Sequence, residues 1–388
     1  MKEPPFIVGK PAVGEYFVNR EKEMERLLTL IKGLEKGGSS NSVLIGLRRT
    51  GKTSILYNLA QRLESNRRVI PVTINCYGLA SKSRFAKLVV DTTIANYTQK
   101  TRDTAYLKRA LKALERAKSA IKKLSEIKFW EFSVKMKNLD ADEDTLVEEA
   151  LEYVESLATE KNVYFVVILD EFQDVIKWGE KTLKRIRTVT QNQKRTCYVL
   201  CGSATTIMHD LVYETRSSFY RQLVEIPVGK LGKEVVQKFL KQRLGAVQVK
   251  ITDTEIDKIV TYCEGFPDYV QRLGLELYLS VGDGGSISST QINKSYEGML
   301  LSLDGEFESY FRTFSPTERE ILVAIAGGKN RASEIAREAR KRIFNISKEL
   351  GVLLNYGVIE RPMLGQYRMT DPVFSDLLNR RFRPDMTR

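Results

Sequence analysis

Gly46-Leu47-Arg48-Arg49-Thr50-Gly51-Lys52-Thr53 carries the full G-x-x-x-x-G-K-[ST] spacing. Each fixed position has a chemical reason. Glycine lets the backbone fold tightly so that successive amides point inward at an anion, and the helix that follows turns its positive end on the same point. Lys52 is placed to reach terminal phosphates, and the Thr53 hydroxyl to hold Mg2+, with Gly46, Arg48, Arg49, Thr50, Gly51 and Ser54 completing the cradle. The context fits, because Ser42-Val43-Leu44-Ile45 ahead of the loop reads as a short buried strand and an apolar-periodic helix follows from about Lys52.

A second local pattern completes this reading. Val166-Val167-Ile168-Leu169 is continuously apolar and runs into Asp170-Glu171. An acid at the end of a buried strand is costly unless it meets a cation or water. Asp170 is therefore expected to act on Mg2+, and Glu171 to orient and polarise an attacking water. Together the two patterns predict ATP/ADP and Mg2+ as ligands, and hydrolysis over mere binding. Ser203, just past a third strand, either touches the γ-phosphate or the water, or simply shapes a turn. Arg216 or Arg221, before the last strand, either acts across a subunit interface or is an ordinary surface arginine.

Outward from these motifs, strands are expected over residues 42–46, 69–76, 163–170, 197–202 and 223–228, interleaved with helices. The alternation predicts an α/β fold, a three-layer sandwich around a parallel sheet. Asn19 is read as the N-cap of a helix reaching about Leu34, and residues 128–136 look strand-like within a mainly helical stretch from about 80 to 158. Thr252-Asp253-Thr254-Glu255 and Ser315-Pro316-Thr317-Glu318 are capping boxes that open helices. The expected units are a core at 1–230 with a helical insert at about 80–145, a helical lid at 231–304, and a winged helix-turn-helix at 305–388.

Composition narrows the function classes. The chain has 388 residues, 42% of them hydrophobic, and no apolar run approaches the ~18 residues a membrane span requires. With an amino terminus lacking the apolar core of a secretory signal, a cytoplasmic location is expected. Cys76, Cys197, Cys201 and Cys263 form no CxxC pair and His209 is the single histidine, which argues against zinc and against histidine acid–base chemistry. The net charge is +13. From Lys100 to Lys128 ten basic residues face three acids, a net +7, with Leu107, Ala110, Leu114, Ala117, Ile121 and Leu124 forming an apolar seam. That stretch is either a packed helix with a solvated basic face or a phosphate-contacting surface.

With these residues in view, the chain resembles the archaeal ATPase family, within the AAA+/STAND group of P-loop NTPases and related to origin-recognition initiators. The matching residues are Phe17-Val18-Asn19-Arg20-Glu21, the loop at 46–53, Leu169-Asp170-Glu171-Phe172-Gln173, Gly202-Ser203, Ser218-Phe219-Tyr220-Arg221, Gly265-Phe266-Pro267, Gly357-Val358-Ile359-Glu360 and Asp371-Pro372-Val373-Phe374. The resemblance implies that Phe17 and Val18 line an adenine pocket and that Pro267 closes over the base. It also implies an AAA+ lid. In a helix-turn-helix the third helix of the carboxy-terminal module would enter the major groove, with Arg342, Asn345, Ser347 and Lys348 near its start and Arg361 and Arg368 on the wing; the alternative is a protein-docking or autoinhibitory module. Asp268 departs from the initiators, which carry an arginine within this lid motif. Three function classes follow: a DNA-associated ATPase using the basic insert and winged helix, a nucleotide switch whose output is a protein partner or self-assembly, and, against the Asp170-Glu171 pair, a small-molecule kinase.

Overall fold

The computed structural model describes residues 3–382 except 39, 104, 107–127, 130–131, 134, 137–141 and 204. Five parallel strands, β1 (Ser42–Ile45), β2 (Val69–Asn75), β3 (Tyr164–Asp170), β4 (Thr196–Gly202) and β5 (Val224–Pro227), lie in the order β2-β3-β4-β1-β5. The continuous apolar runs are explained by burial on both faces. Val166 and Ile168 pack on one side with Met24, Leu27, Ile55 and Leu59 from helices α1 (Glu21–Lys32) and α2 (Lys52–Leu63). Val167 and Leu169 pack on the other against α3 (Lys82–Thr101) and α4 (Glu143–Lys161), through Val89, Val90, Leu151 and Val154. Short helices α5 (Gln173–Ile176), α6 (Glu180–Thr190) and α7 (Thr205–Tyr213) follow β3 and β4. All four cysteines are buried and unpaired.

Two local expectations are corrected. Asn19 is not the N-cap; it sits at φ 55°, and Arg20 occupies that position ahead of α1. Within 128–136, Lys128, Phe129, Phe132, Ser133, Lys135 and Met136 are helical. The reason is packing on α4: Phe129 and Phe132 are buried, and Lys128 pairs with Glu152 at 2.5 Å. The basic seam at 107–127 lies outside the described residues.

The remaining helices are α8 (Lys233–Ala246), α9 (Asp253–Cys263), α10 (Pro267–Val281), α11 (Ser289–Arg312), α12 (Pro316–Ala326), α13 (Ala332–Glu338), α14 (Ile343–Asn355) and α15 (Pro372–Phe382), with a hairpin of β6 (Ile359–Met363) and β7 (Gln366–Met369). Both anticipated capping boxes are present, at Thr252/Glu255 and Ser315/Glu318, and a third at Ser288/Gln291 opens α11. Helix α11 runs unbroken through residue 304, placing Ile292 and Met299 among lid residues and Phe307 and Phe311 among those of α12 to α15 in one apolar core. No helix among the described residues is long and apolar enough to cross a membrane.

One buried charge ties the far side of the core together. Asp144 accepts from Lys82 at 2.6 Å and Thr182 at 2.7 Å, with Lys181 at 3.1 Å. Burial opposes its charge, but these donors outweigh it and bring the carboxyl down to about 2 from 3.8. A depressed folded-state pKa stabilises above the unfolded value, and that contribution is lost as pH falls through the folded one. Asp144→Asn is expected to lower stability by about 2 kcal/mol at neutral pH, and the gap should close between pH about 4 and about 2. Urea unfolding of both proteins across that range checks it; a gap that widens in acid overturns the assignment.

Candidate nucleotide site

The loop at 46–53 leaves β1 and enters α2, and the backbone shows why glycine stands where it does. Gly51 is at φ 89°, and a Cβ there would lie 3.8 Å from Pro267 Cγ. A Cβ on Gly46 would lie 2.2 Å from the Val228 carbonyl oxygen. The buried Arg20 guanidinium fastens the loop from below, donating to Thr50 O at 2.8 Å and Gly229 O at 2.7 Å while pairing with Glu23 at 2.9 Å.

Lys52 is buried, and its Nζ donates to Gly46 O at 2.9 Å and Leu47 O at 2.8 Å, the carbonyls of its own loop. Burial pushes the ammonium below the ordinary lysine range, opposed by Cys201, Glu171 and Asp170. Thr53 Oγ1 donates to Asp170 Oδ2 at 2.8 Å across the sheet edge, so the two motifs read separately in sequence meet in space. These are hard oxygen donors, the set that Mg2+ accepts.

Glu171, directly after β3, adopts φ 54°. Its Oε2 accepts from Ser203 Oγ at 3.0 Å and from Gln173 Nε2 in a close contact. Gln173 Oε1 in turn accepts from Ser203 N at 3.3 Å. Ser203 and Gln173 thus hold the carboxylate from two sides. Sequence reading placed Ser203 near the centre but gave Gln173 no role; its signal was an amide two residues beyond the acid.

A cavity of about 380 Å³ opens over the loop, within the ~300–1,000 Å³ range of ligand clefts. Phe17, Val18, Pro267, Arg48, Arg49, residues 50–54, Glu171 and Ser203 all line it. So does an amino-terminal strap that the sequence did not announce. Its Ala12 N donates to Ser54 Oγ at 3.0 Å, and Ala12 O accepts from Asn58 at 2.7 Å. At its other end Gln271 of α10 accepts from Ile7 N at 3.0 Å and donates to Tyr16 O at 3.1 Å. Arg221 does not line the cavity; it is exposed, with its guanidinium 5.1 Å from the Tyr220 ring centre.

Arg48 and Arg49 take partners that sequence reading missed. Arg49 pairs with Asp268 in a close contact and with Glu306 at 2.6 Å, and Arg48 reaches Glu306 at 3.1 Å. A second cavity of about 640 Å³, between the strand end at Asp170-Glu171 and the region of α12 to α15, shares Arg48, Arg49, Thr53, Glu171 and Ser203 with the first. Tyr310, Phe314, Tyr356 and Asp371 line its far wall.

Three solved structures share this architecture. A Walker-type ATPase of Pyrococcus abyssi superposes with a TM-score of 0.70 at 22% identity, covering 97% of this chain and 99% of that one. The Aeropyrum pernix ORC2 protein, in ADPNP–ADP complexes, gives 0.58 at 14% identity, with 95% of each chain covered. The Aeropyrum pernix ORC1 protein, solved in complex with DNA, gives 0.51 at 15% identity over 95% of this chain and 93% of that one. At these identities the likeness is one of fold. No curated protein sequence matches the chain. The model of an ATPase domain predominantly from Archaea matches residues 17–273, well over half of the chain, across the phosphate loop, the Asp170-Glu171 strand end and the lid motif. The chain belongs to that family and is a P-loop ATPase.

Proposed function

We propose that this ATPase couples its nucleotide state to the placement of its lid and winged helix, and that the winged helix contacts DNA. The carrying observation is that the catalytic edge opens onto a cleft whose far wall is the winged-helix region, so Glu171 and Ser203 share one space with Tyr310, Tyr356 and Asp371. In this reading Lys52 neutralises terminal phosphates, Glu171 orients the attacking water, and Ser203 with Gln173 fixes Glu171. Thr53 and Asp170 would hold Mg2+, which would supply charge neutralisation on the phosphates. Phe17, Val18 and Pro267 flank the base. Arg221, outside its own cleft, serves only across an interface with a second copy. The division into core (1–230), lid (231–304) and winged helix (305–388) is kept as functional units joined by α11.

Support for DNA comes from charge and exposure. Arg340, Lys341, Arg342, Ser347 and Lys348 are all exposed at the start of α14, the end that enters the major groove in helix-turn-helix proteins, and Arg361 and Arg368 are exposed on the hairpin. The DNA complex of the fold relative from Aeropyrum pernix points the same way. Duplex DNA is expected to raise steady-state ATPase rate, and each phosphate contact should steepen the salt dependence of binding by about 0.9 log units. Arg342→Glu with Lys348→Glu should abolish the stimulation and leave the basal rate unchanged. A rate indifferent to DNA at low salt overturns the DNA arm.

A second reading has its own observation. The carboxy-terminal end of α14 docks on the core, Thr206 Oγ1 donating to Leu354 O at 2.9 Å. That contact suits a switch held closed until a protein partner takes the winged helix. Slow turnover with retained ADP and no DNA response is its expected signature.

A further inference from the structure

We propose that Arg49 discriminates ATP from ADP, because the γ-phosphate and the acid pair Asp268 and Glu306 compete for the same guanidinium. The proposal deepens the reading above by naming the regulation of that site, and rests on nucleotide occupying the loop.

Arg49 belongs to the phosphate loop, at φ 67°, between residues whose backbone forms the cradle. Its side chain is 7% exposed and reaches across the cleft to the lid. There it meets Asp268 and Glu306, and its guanidinium carbon lies 5.1 Å from the ring centres of both Tyr269 and Phe307. Burial opposes the charge, but Tyr269, Asp268, Glu306 and Asp371 hold the group above its usual range. The guanidinium nevertheless has a donor to spare: its Nε is buried with no hydrogen-bond partner. Arg48, half exposed, shares Glu306 and lies 5.4 Å from the Tyr310 ring centre.

These contacts form a route from the loop to the winged helix. Tyr269 donates to Asp371, a half-buried carboxylate that accepts from Val373 N and Phe374 N at 3.0 Å and so caps α15. Phe307 stacks on Phe374 at 5.0 Å. A guanidinium that leaves Asp268 and Glu306 therefore withdraws from the residues that seat α15.

Phosphate is a stronger claimant than either carboxylate. A guanidinium binds phosphate oxygens through two parallel donors, and the γ-phosphate brings the largest charge of the nucleotide to this loop. The acids also release their arginine cheaply. Asp268 retains Arg272 at 2.9 Å, and Glu306 is 41% exposed, where water can take over. ADP lacks the competing group and leaves the clamp closed. A ligand shifts an equilibrium only through differential affinity, and that coupling is reciprocal. Removing the acids must therefore tighten ATP, and ATP must loosen the lid and winged helix.

The test is equilibrium binding of ADP and a non-hydrolysable ATP analogue to the full chain. Asp268→Asn with Glu306→Gln preserves shape, and about tenfold tighter binding of the ATP analogue is expected, with ADP within about twofold. Arg49→Ala should bring the ratio of the two affinities near one, and Arg49→Lys should restore part of it. Hydrogen exchange across α11 and α15 should rise with the ATP analogue in the wild type and stay flat in Arg49→Ala. Equal shifts for both nucleotides, or none, overturn the proposal, with thermal melts establishing that each variant is folded. Wild-type chain that binds ATP without hydrolysing it overturns the hydrolytic assignment instead and leaves this comparison readable.

Discussion

Glu171→Gln is expected to cut ATP turnover by about 10²–10³-fold while ATP binding survives within a few-fold. The substitution keeps the size of the side chain and removes the carboxylate proposed to polarise water. Its neighbours make the outcome specific. Ser203 Oγ and Gln173 Nε2 both donate to Glu171 Oε2, so an amide placed there must turn its own oxygen to them. Turned that way, it presents an N–H₂ group where the carboxylate had a free oxygen. Lys52, Thr53 and Asp170 are untouched, so the phosphates keep their cradle. Steady-state hydrolysis and nucleotide binding on the same preparation separate the two effects. Full activity in Glu171→Gln would remove Glu171 as the base and leave Ser203 and Gln173 without the role assigned to them. Lys52→Ala should differ by losing binding as well as turnover.

What was legible in the sequence was what the chain writes locally. The phosphate loop and the Asp170-Glu171 strand end are each contiguous, and a strand buried on both faces is apolar along most of its length. Capping boxes at Thr252 and Ser315 are four-residue statements of the same kind. The rest depends on chain distance. Glu306 meets Arg48 and Arg49 from more than 250 residues away, and no periodicity couples the two segments. The strap over the cleft has Gly9, Pro11 and Gly14 and no repeating apolar face, so it reads as linker until Gln271 and Ser54 are seen to hold it. Residues 128–136 failed for another reason. Trp130, Phe132, Val134 and Met136 alternate as a strand would, whereas Phe129, Phe132 and Met136 share a helix face, and the deciding partner is α4.

Gly46→Ala is expected to harm the molecule severely for a single carbon added. Gly46 needs no unusual φ; its constraint is the neighbouring backbone. The added methyl would lie 2.2 Å from Val228 O and 3.1 Å from both Val228 C and Thr50 Oγ1. No flexible side-chain tip is available to move, because the obstacle is the carbonyl where β5 ends. That carbonyl cannot retreat freely: Val228 N donates to Ile45 O at 2.8 Å, and Val228 itself is buried. The loop cannot retreat either, since Arg20 holds Thr50 O and Gly229 O with one nitrogen. The two sides of the collision are therefore fastened to each other. Relief requires breaking the edge of the sheet or opening the loop, at a cost of about 3 kcal/mol, and opening the loop also displaces the carbonyls that hold Lys52. Gly51→Ala supplies the contrast. It meets only Pro267 Cγ at 3.8 Å, so its cost comes from φ 89°, about 1 kcal/mol. Urea unfolding with nucleotide binding measures both. If Gly46→Ala proves no less stable than Gly51→Ala, then β5 is free to shift, and the Arg20 fastening does not hold the loop as described.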